Sequence, residues 1–321
     1  MTAARTGRRL LRLYPPAWRA RYGDELEDLI VESSTGDRVP WRTRLDVVLA
    51  AGREHRRAAG LSGDAAPGDR VRGGALLVFV AWALLVLGGA GVQKFSEHWQ
   101  AATPPGDRTV PGLAFGVLVV AAVCGGVLVV AGAAGAAPGL PAFLRGGGWA
   151  QVRRHVLAAA VTTGVAAVAT VGLVTWAGRL TLHERTGSDP AYSAAFVVWA
   201  VLVAAGLLAW TAAGVAVARR LSWPDALLRV EAWIALAVTA AMVVTTVATA
   251  VWWWALADAA PWFLAGRPVG DRGQAVPPQL AALVATMALA SLLAAAGSRQ
   301  ALLGLTAPSR HQPKPAAGSS S

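Results

Sequence analysis

Polar and apolar positions divide this chain into two unlike parts. Up to Arg72 charged residues interrupt the apolar ones every few positions, whereas beyond it apolar residues gather in six long uncharged runs. The runs lie near 74–92, 112–136, 156–178, 191–218, 232–257 and 277–297, and none contains Asp, Glu, Lys, Arg or His. Each is close to the ~20 residues that a helix needs to cross roughly 30 Å of hydrocarbon. A backbone in lipid must satisfy its own N–H and C=O groups, and no run alternates apolar with polar positions, so helices are predicted rather than barrel strands. The predicted fold is all-α: a six-span transmembrane bundle preceded by a small cytosolic three-helix module. The division that follows is 1–72 for the module, 73–298 for the membrane domain and 299–321 for a disordered cytosolic tail. From Ala307 onward that tail is rich in Pro, Ala, Gly and Ser. No cleavable signal peptide is expected, because polar residues fill the chain ahead of the first run.

The first part carries three short helical patterns separated by breakers. One runs from about Arg8 to Tyr14 and stops at Pro15-Pro16, because proline disfavours helical geometry in the residue before it. A second starts at Pro16, where a missing N–H does no harm, and puts Trp18, Tyr22, Leu26, Leu29 and Ile30 on one stripe. A third runs from about Trp41 to Arg57 and offers Trp41, Leu45, Val48 and Leu49 as the partner stripe, with Ser33 to Asp37 as the turn between them. Three helices of this size bury little, so support from the membrane, the inner loops or another protein is expected.

Charge adds an orientation. The 321 residues include 29 Lys+Arg against 18 Asp+Glu, a formal charge of +11. With the six runs as spans, segment 1–72, two alternate loops and the tail hold 23 of the basic residues, and the other three loops hold six. Basic residues are retained on the cytoplasmic side, so both termini are predicted to be cytosolic, in a cell inner (plasma) membrane. A basic inner face suits anionic inner-leaflet lipids, and insertion topology accounts for it without nucleic acid.

Side chains near the run ends refine this picture. Trp99, Trp149, Trp176, Trp223, Trp233, Trp252, Trp253, Trp254 and Trp262 fit an interfacial belt. Trp252, Trp253, Trp254, Asp258 and Trp262 offer an outward aromatic pocket for an organic cation as the sharper alternative. Gly88, Gly89, Gly91, Gly125, Gly126, Gly132, Gly135, Gly164 and Gly172 are expected to allow helices to approach closely. Thr162, Thr163, Thr170, Thr239, Thr245, Thr246 and Thr249 are expected to bond across helices, with a substrate path as the rival use. GDRTVP at 106–111 and GDRGQAVPP at 270–278 echo one another, as turn sequences do.

Chemistry is sparse. Catalysis needs titratable groups placed together, and His55, His98, His155, His183 and His311 stand apart, with no HExxH pair. A metal or hydrolytic site would have to draw Glu97, His98, His183, Glu184, Asp189 and Asp258 from separate outer loops. There is no phosphate-binding glycine loop and no GxSxG, and the one cysteine, Cys124, rules out an internal disulfide. No enzyme, cofactor or metal site is expected. The absence of ionisable side chains from the runs argues against ion-coupled transport.

The run RLLRLYPPAWRARYGDELEDLI, followed by RLDVVLAAGREHRR, resembles the cytosolic prefix of many bacterial membrane proteins of the HAAS and permease-prefix kind. The likeness covers residues 8–58. It rests on Leu13, Tyr14, Pro15, Trp18, Arg19, Arg21, Tyr22, Gly23, Glu25 and Leu29, then Leu45, Asp46, Val48, Leu49 and Gly52. Such prefixes are commonly linked to PadR-type repressors or precede permease bundles, so the resemblance implies a signalling or interaction module. Tyr14, Trp18, Arg19, Arg21, Tyr22 and Glu25 are the candidate partner-binding residues. The plainer reading makes the aromatics a hairpin core and the arginines membrane anchors. The expected function is a non-enzymatic signalling or interaction component that meets a cytosolic regulator. The alternative is a permease-type subunit whose inner arginine loops dock a separate ATPase.

Overall fold

The computed structural model describes residues 3–34, 39–62, 64–96, 99–180, 190–221, 223–264 and 278–306, and all regular structure among them is helical. The chain forms two compact units, Met1–Gly74 with Gln300–Ser321, and Ala75–Arg299.

In the first unit, α1 (Ala3–Leu11), α2 (Pro16–Glu32) and α3 (Trp41–Ala58) follow one another. Pro15 is held extended at φ −55°, ψ 144°, so the chain turns there, and Pro16 opens α2. Pro40 performs the same turn ahead of α3. At the far end of α2 the hydroxyls of Ser33 and Ser34 both donate to the Ile30 carbonyl, one of those a helix end leaves without a partner. Tyr14, Ile30, Val39, Val47 and Ala51 form the core, with Leu10, Trp18, Leu26 and Ala50 against it. His55 Nε2 donates to the Leu13 carbonyl at 2.7 Å and ties α3 to the turn after α1.

Two expectations change here. The first helix begins at Ala3 rather than Arg8, since alanine is the strongest helix former, and ends at Leu11. Leu13 and Tyr14 follow as a turn whose amides bond back to Leu10 and Leu11. The third helix presents a different face. Val47 and Ala51 point inward, the small Ala51 allowing close approach, while Trp41, Leu45, Val48 and Leu49 are 45–68% exposed.

The longer helices are α4 (Pro67–Phe95), α6 (Thr109–Ala136), α8 (Gly148–Ala177), α9 (Pro190–Ala218), α10 (Asp225–Ala259) and α12 (Pro278–Thr306). All six are long and apolar enough to cross a membrane. Short helices α5 (Trp99–Ala102), α7 (Leu140–Arg145) and α11 (Pro261–Leu264) punctuate them. Because α12 continues to Thr306, residues 299–306 are helical, not tail; helix-forming Gln, Ala and Leu outweigh the single Gly304 there, and the first proline is Pro308.

Within the second unit α10 supplies the central face. Its buried stripe of Leu228, Glu231, Ala235, Val238, Met242, Thr245, Thr249, Trp252 and Leu256 recurs at steps of three and four residues. On α6, Gly125 faces Ala241 of this helix in ordinary contact. On α12, Ser291 Oγ lies 2.9 Å from Thr246 Oγ1. α4 and α12 approach through glycine: a Cβ placed at Gly91 would lie 2.5 Å from Leu283 Cδ2. α8 and α9 form a hairpin in which Trp199 Nε1 donates to Thr170 Oγ1 at 2.8 Å and Trp210 Nε1 to Thr163 Oγ1 at 2.9 Å. Valines such as Val168 and Val198 on its other faces are exposed, and in a bilayer they meet lipid.

Several tryptophans leave the expected belt. Trp252 is fully buried with its ring 6.2 Å from Phe115, and Trp99, also buried, lies 6.0 Å from the same ring. Trp149, Trp176, Trp233 and Trp254 are exposed. Successive helical residues point about 100° apart, so Trp252 turns inward while Trp254 turns out, and the exposed Asp258 does not share one face with both. The threonines also divide. Thr239, Thr245 and Thr249 donate to carbonyls four residues back in their own helix, whereas Thr163, Thr170 and Thr246 take part in bonds between helices. Glu97, His98, His183, Glu184, Asp189 and most of the second GDR sequence lie outside the described residues.

Candidate functional site

Tyr14, in the turn ahead of α2, and Trp18 and Tyr22 on α2 follow one another at four-residue steps and form an aromatic ladder. Tyr14 and Trp18 stack at 4.1 Å between centroids with planes 24° apart, and Tyr22 follows at 5.3 Å. The guanidinium of Arg21 lies 5.0 Å from the Tyr22 ring centre, a cation–π contact worth about 0.5–1 kcal/mol at an exposed position. Burial pushes the Tyr14 phenol above the ordinary tyrosine range, Glu54 adding to the effect and Arg53 opposing it.

Above this ladder α2 and α3 frame a groove of about 440 Å³, lined by Trp18, Tyr22, Glu25, Leu26, Leu29, Glu54 and Arg57. Of the sequence candidates, Trp18, Tyr22 and Glu25 meet in the groove. Tyr14 is a buried buttress beneath Trp18, Arg21 flanks Tyr22, and Arg19 is exposed and outside the lining. Glu54 and Arg57, 2.6 Å apart, were not among the candidates. Their three-residue spacing was the signal available, since it places an acid and a base side by side on a helix. Arg8 Nε and Glu27 Oε1, 2.9 Å apart, join α1 to α2, and that bond and charge raise the Arg8 pKa.

The second unit holds a cavity of about 370 Å³. Phe79, Gly132, Val156, Trp210 and Ile234 are among its walls, drawn from α4, α6, α8, α9 and α10. One acid, Glu231, also lines it. The run at 232–257 carries no ionisable group, but the helix that contains it reaches back past Glu231. α10 starts at Asp225 after the extended Pro224, so Glu231 sits two turns inside the helix on its buried stripe rather than in a loop. Only 7% of Glu231 is exposed, and its Oε1 has no hydrogen-bond partner. The carboxylate rests against bare backbone: a Cβ at Gly132 would lie 3.1 Å from Oε2, and one at Gly135 3.5 Å from Oε1.

The chain matches no protein-family model, no curated protein and no solved structure.

Among the described residues, no three His, Cys, Asp or Glu side chains come together in a way that holds a metal. Two features remain with something to offer a ligand. The groove presents aromatic surface beside charge, which suits a protein side chain; the cavity presents apolar walls around one acid.

Proposed function

We propose that this protein is a multi-pass component of a bacterial inner membrane, both termini cytosolic, that acts by docking a cytosolic protein partner through its amino-terminal helices. The observation that carries the reading is the groove between α2 and α3, where apolar Trp18, Tyr22 and Leu29 remain open beside the exposed Glu25. A single fully buried aliphatic side chain is worth about 1.5–3 kcal/mol, and aromatic anchors dominate interface energetics. The partner chemistry that fits is an amphipathic helix with an aliphatic anchor followed by Lys or Arg, the cation reaching Glu25. The helical prefix of the HAAS and permease-prefix kind, which residues 8–58 resemble, is the expected setting for such a contact. Even span number and the retention of basic segments support cytosolic ends.

The test is cross-linking in native membranes followed by purification of the full chain. A regulator recovered with wild type should be lost from Leu29→Asp and from Glu25→Arg, both exposed positions whose change leaves the core intact. Undiminished recovery from both variants refutes the docking reading. One observation favours a second reading, a permease-type subunit with a separate ATPase. Glu231 stands in a cavity among five helices, where transport proteins keep ligand-binding groups. Recovery of an ATPase in place of a regulator selects it.

A further inference from the structure

We propose that the cavity beside Glu231 is a binding site for a lipophilic organic cation, its positive charge set against the Glu231 carboxylate and its apolar body against Phe79, Trp210 and Ile234. The site belongs to the membrane unit, and the proposal stands or falls independently of the docking groove.

The argument begins with the acid. A carboxylate buried beyond nine-tenths normally holds a cation or a hydrogen-bond donor, because removal from water is otherwise uncompensated. Glu231 has neither: Oε1 lacks a partner, and neither ion pair among the described residues involves it. The glycines it rests on offer no side chain, and substituting one would crowd Oε2. A merely structural acid would be expected to have its donor supplied by the fold.

The cavity then selects the ligand class. Its volume of about 370 Å³ falls within the range of small-molecule sites, which pair apolar walls with a few polar groups. A neutral ligand leaves the acid uncompensated, and an anion adds repulsion. A bare metal cation needs several oxygen ligands, whereas among the described lining residues Glu231 is the one acid and none is Ser, Thr, Asn or Gln. An organic cation with its own apolar mass answers both surfaces at once. The Trp210 ring adds a π face, and its indole N–H is already engaged with Thr163, so the ring is fixed before the ligand arrives.

The experiment uses the full chain in detergent and tetraphenylphosphonium as probe, with binding followed by quenching of tryptophan fluorescence and stoichiometry by equilibrium dialysis. Wild type should bind saturably at one site per chain, and tetraphenylborate, the anion of the same shape, should not saturate. Glu231→Gln should weaken tetraphenylphosphonium binding at least tenfold. Ala213→Phe, which fills the cavity from α9 and leaves the carboxylate untouched, should do the same. If circular dichroism and gel filtration show that Glu231→Gln does not fold, Ala213→Phe and the cation–anion comparison in wild type decide the matter. Adding phosphatidylethanolamine to the micelles assigns the source of the cation. Displacement of the probe marks a lipid ammonium, undiminished binding marks a soluble cation, and both support the site. Equal affinity in wild type and folded Glu231→Gln, saturable binding of the borate, or no saturable binding of the phosphonium overturns the proposal.

Discussion

Gly88 and Gly89 are neighbours in α4, yet a methyl group added at one meets a wall and at the other meets open space. A Cβ at Gly88 would lie 2.7 Å from Met287 Cγ and 3.4 Å from the Leu283 carbonyl oxygen; a Cβ at Gly89 has nothing within 4 Å. Met287 is 1% exposed, so its mid-chain carbon has nowhere to move without shifting α12. Both substitutions by alanine gain the same backbone term, about 0.5–1 kcal/mol relative to glycine in a helix. Gly88→Ala alone carries an overpacking cost of about 1–3 kcal/mol. The helix-propensity gain cancels in the comparison, so Gly88→Ala should be about 1–3 kcal/mol less stable than Gly89→Ala. Reversible unfolding in mixed micelles of rising denaturing-detergent fraction, read by helical circular dichroism, measures the difference. Equal stabilities, or a more stable Gly88→Ala, would refute the close packing of α4 on α12.

The same unfolding assay separates two tryptophans. Trp252→Ala, at a fully buried ring, should cost about 3–5 kcal/mol, and Trp254→Ala, at an 81% exposed one, should stay within about 0.5 kcal/mol. Arg8→Ala removes an exposed ion pair with Glu27 and should change stability by less than about 1 kcal/mol. The difference in tyrosinate absorbance between wild type and Tyr14→Phe should show a phenol titrating above the ordinary value near ~10. Because the folded pKa is the higher one, Tyr14 contributes its stability fully below the unfolded value. That contribution is lost as pH rises through the folded value, and Tyr14→Phe should lack this alkaline loss. Reporters fused at the amino terminus and after Thr306 should both be found in the cytosol; opposite sides would overturn the orientation.

Much of the second unit was legible because its long uncharged runs are of the length and composition of membrane-crossing helices. Every predicted run falls within one of the six long helices, apart from Gly178 at one boundary and Pro277, which lies outside the described residues. What the runs concealed was facing. In lipid both sides of a span are apolar, so hydrophobic periodicity loses its contrast, and nothing in the sequence separates the inward Trp252 from the outward Trp254. Glu231 was missed for a related reason. The predicted run began after the last charge, whereas Pro224 and Asp225 mark the true helix start, and counting back from Thr239 and Ala235 in helical steps reaches Glu231. In the first unit the α2 stripe was readable, since Trp18, Leu26 and Ile30 do face the core. The α3 stripe was not: the larger Leu45, Val48 and Leu49 drew attention, and the interface chose Val47 and Ala51.

The position of α10 in the chain has a consequence for biogenesis. It is the fifth long helix to be synthesised, yet its inward stripe sets Trp252 beside Phe115 of α6, and Ala241 meets Gly125 of the same helix, made more than a hundred residues earlier. In a bilayer, these surfaces of α6 would meet lipid until α10 arrives. The α8–α9 hairpin needs no later helix for its own bonds, because Trp199–Thr170 and Trp210–Thr163 lie within it. A nascent chain halted after Ala218 would thus hold one finished hairpin beside two helices still lacking their central partner.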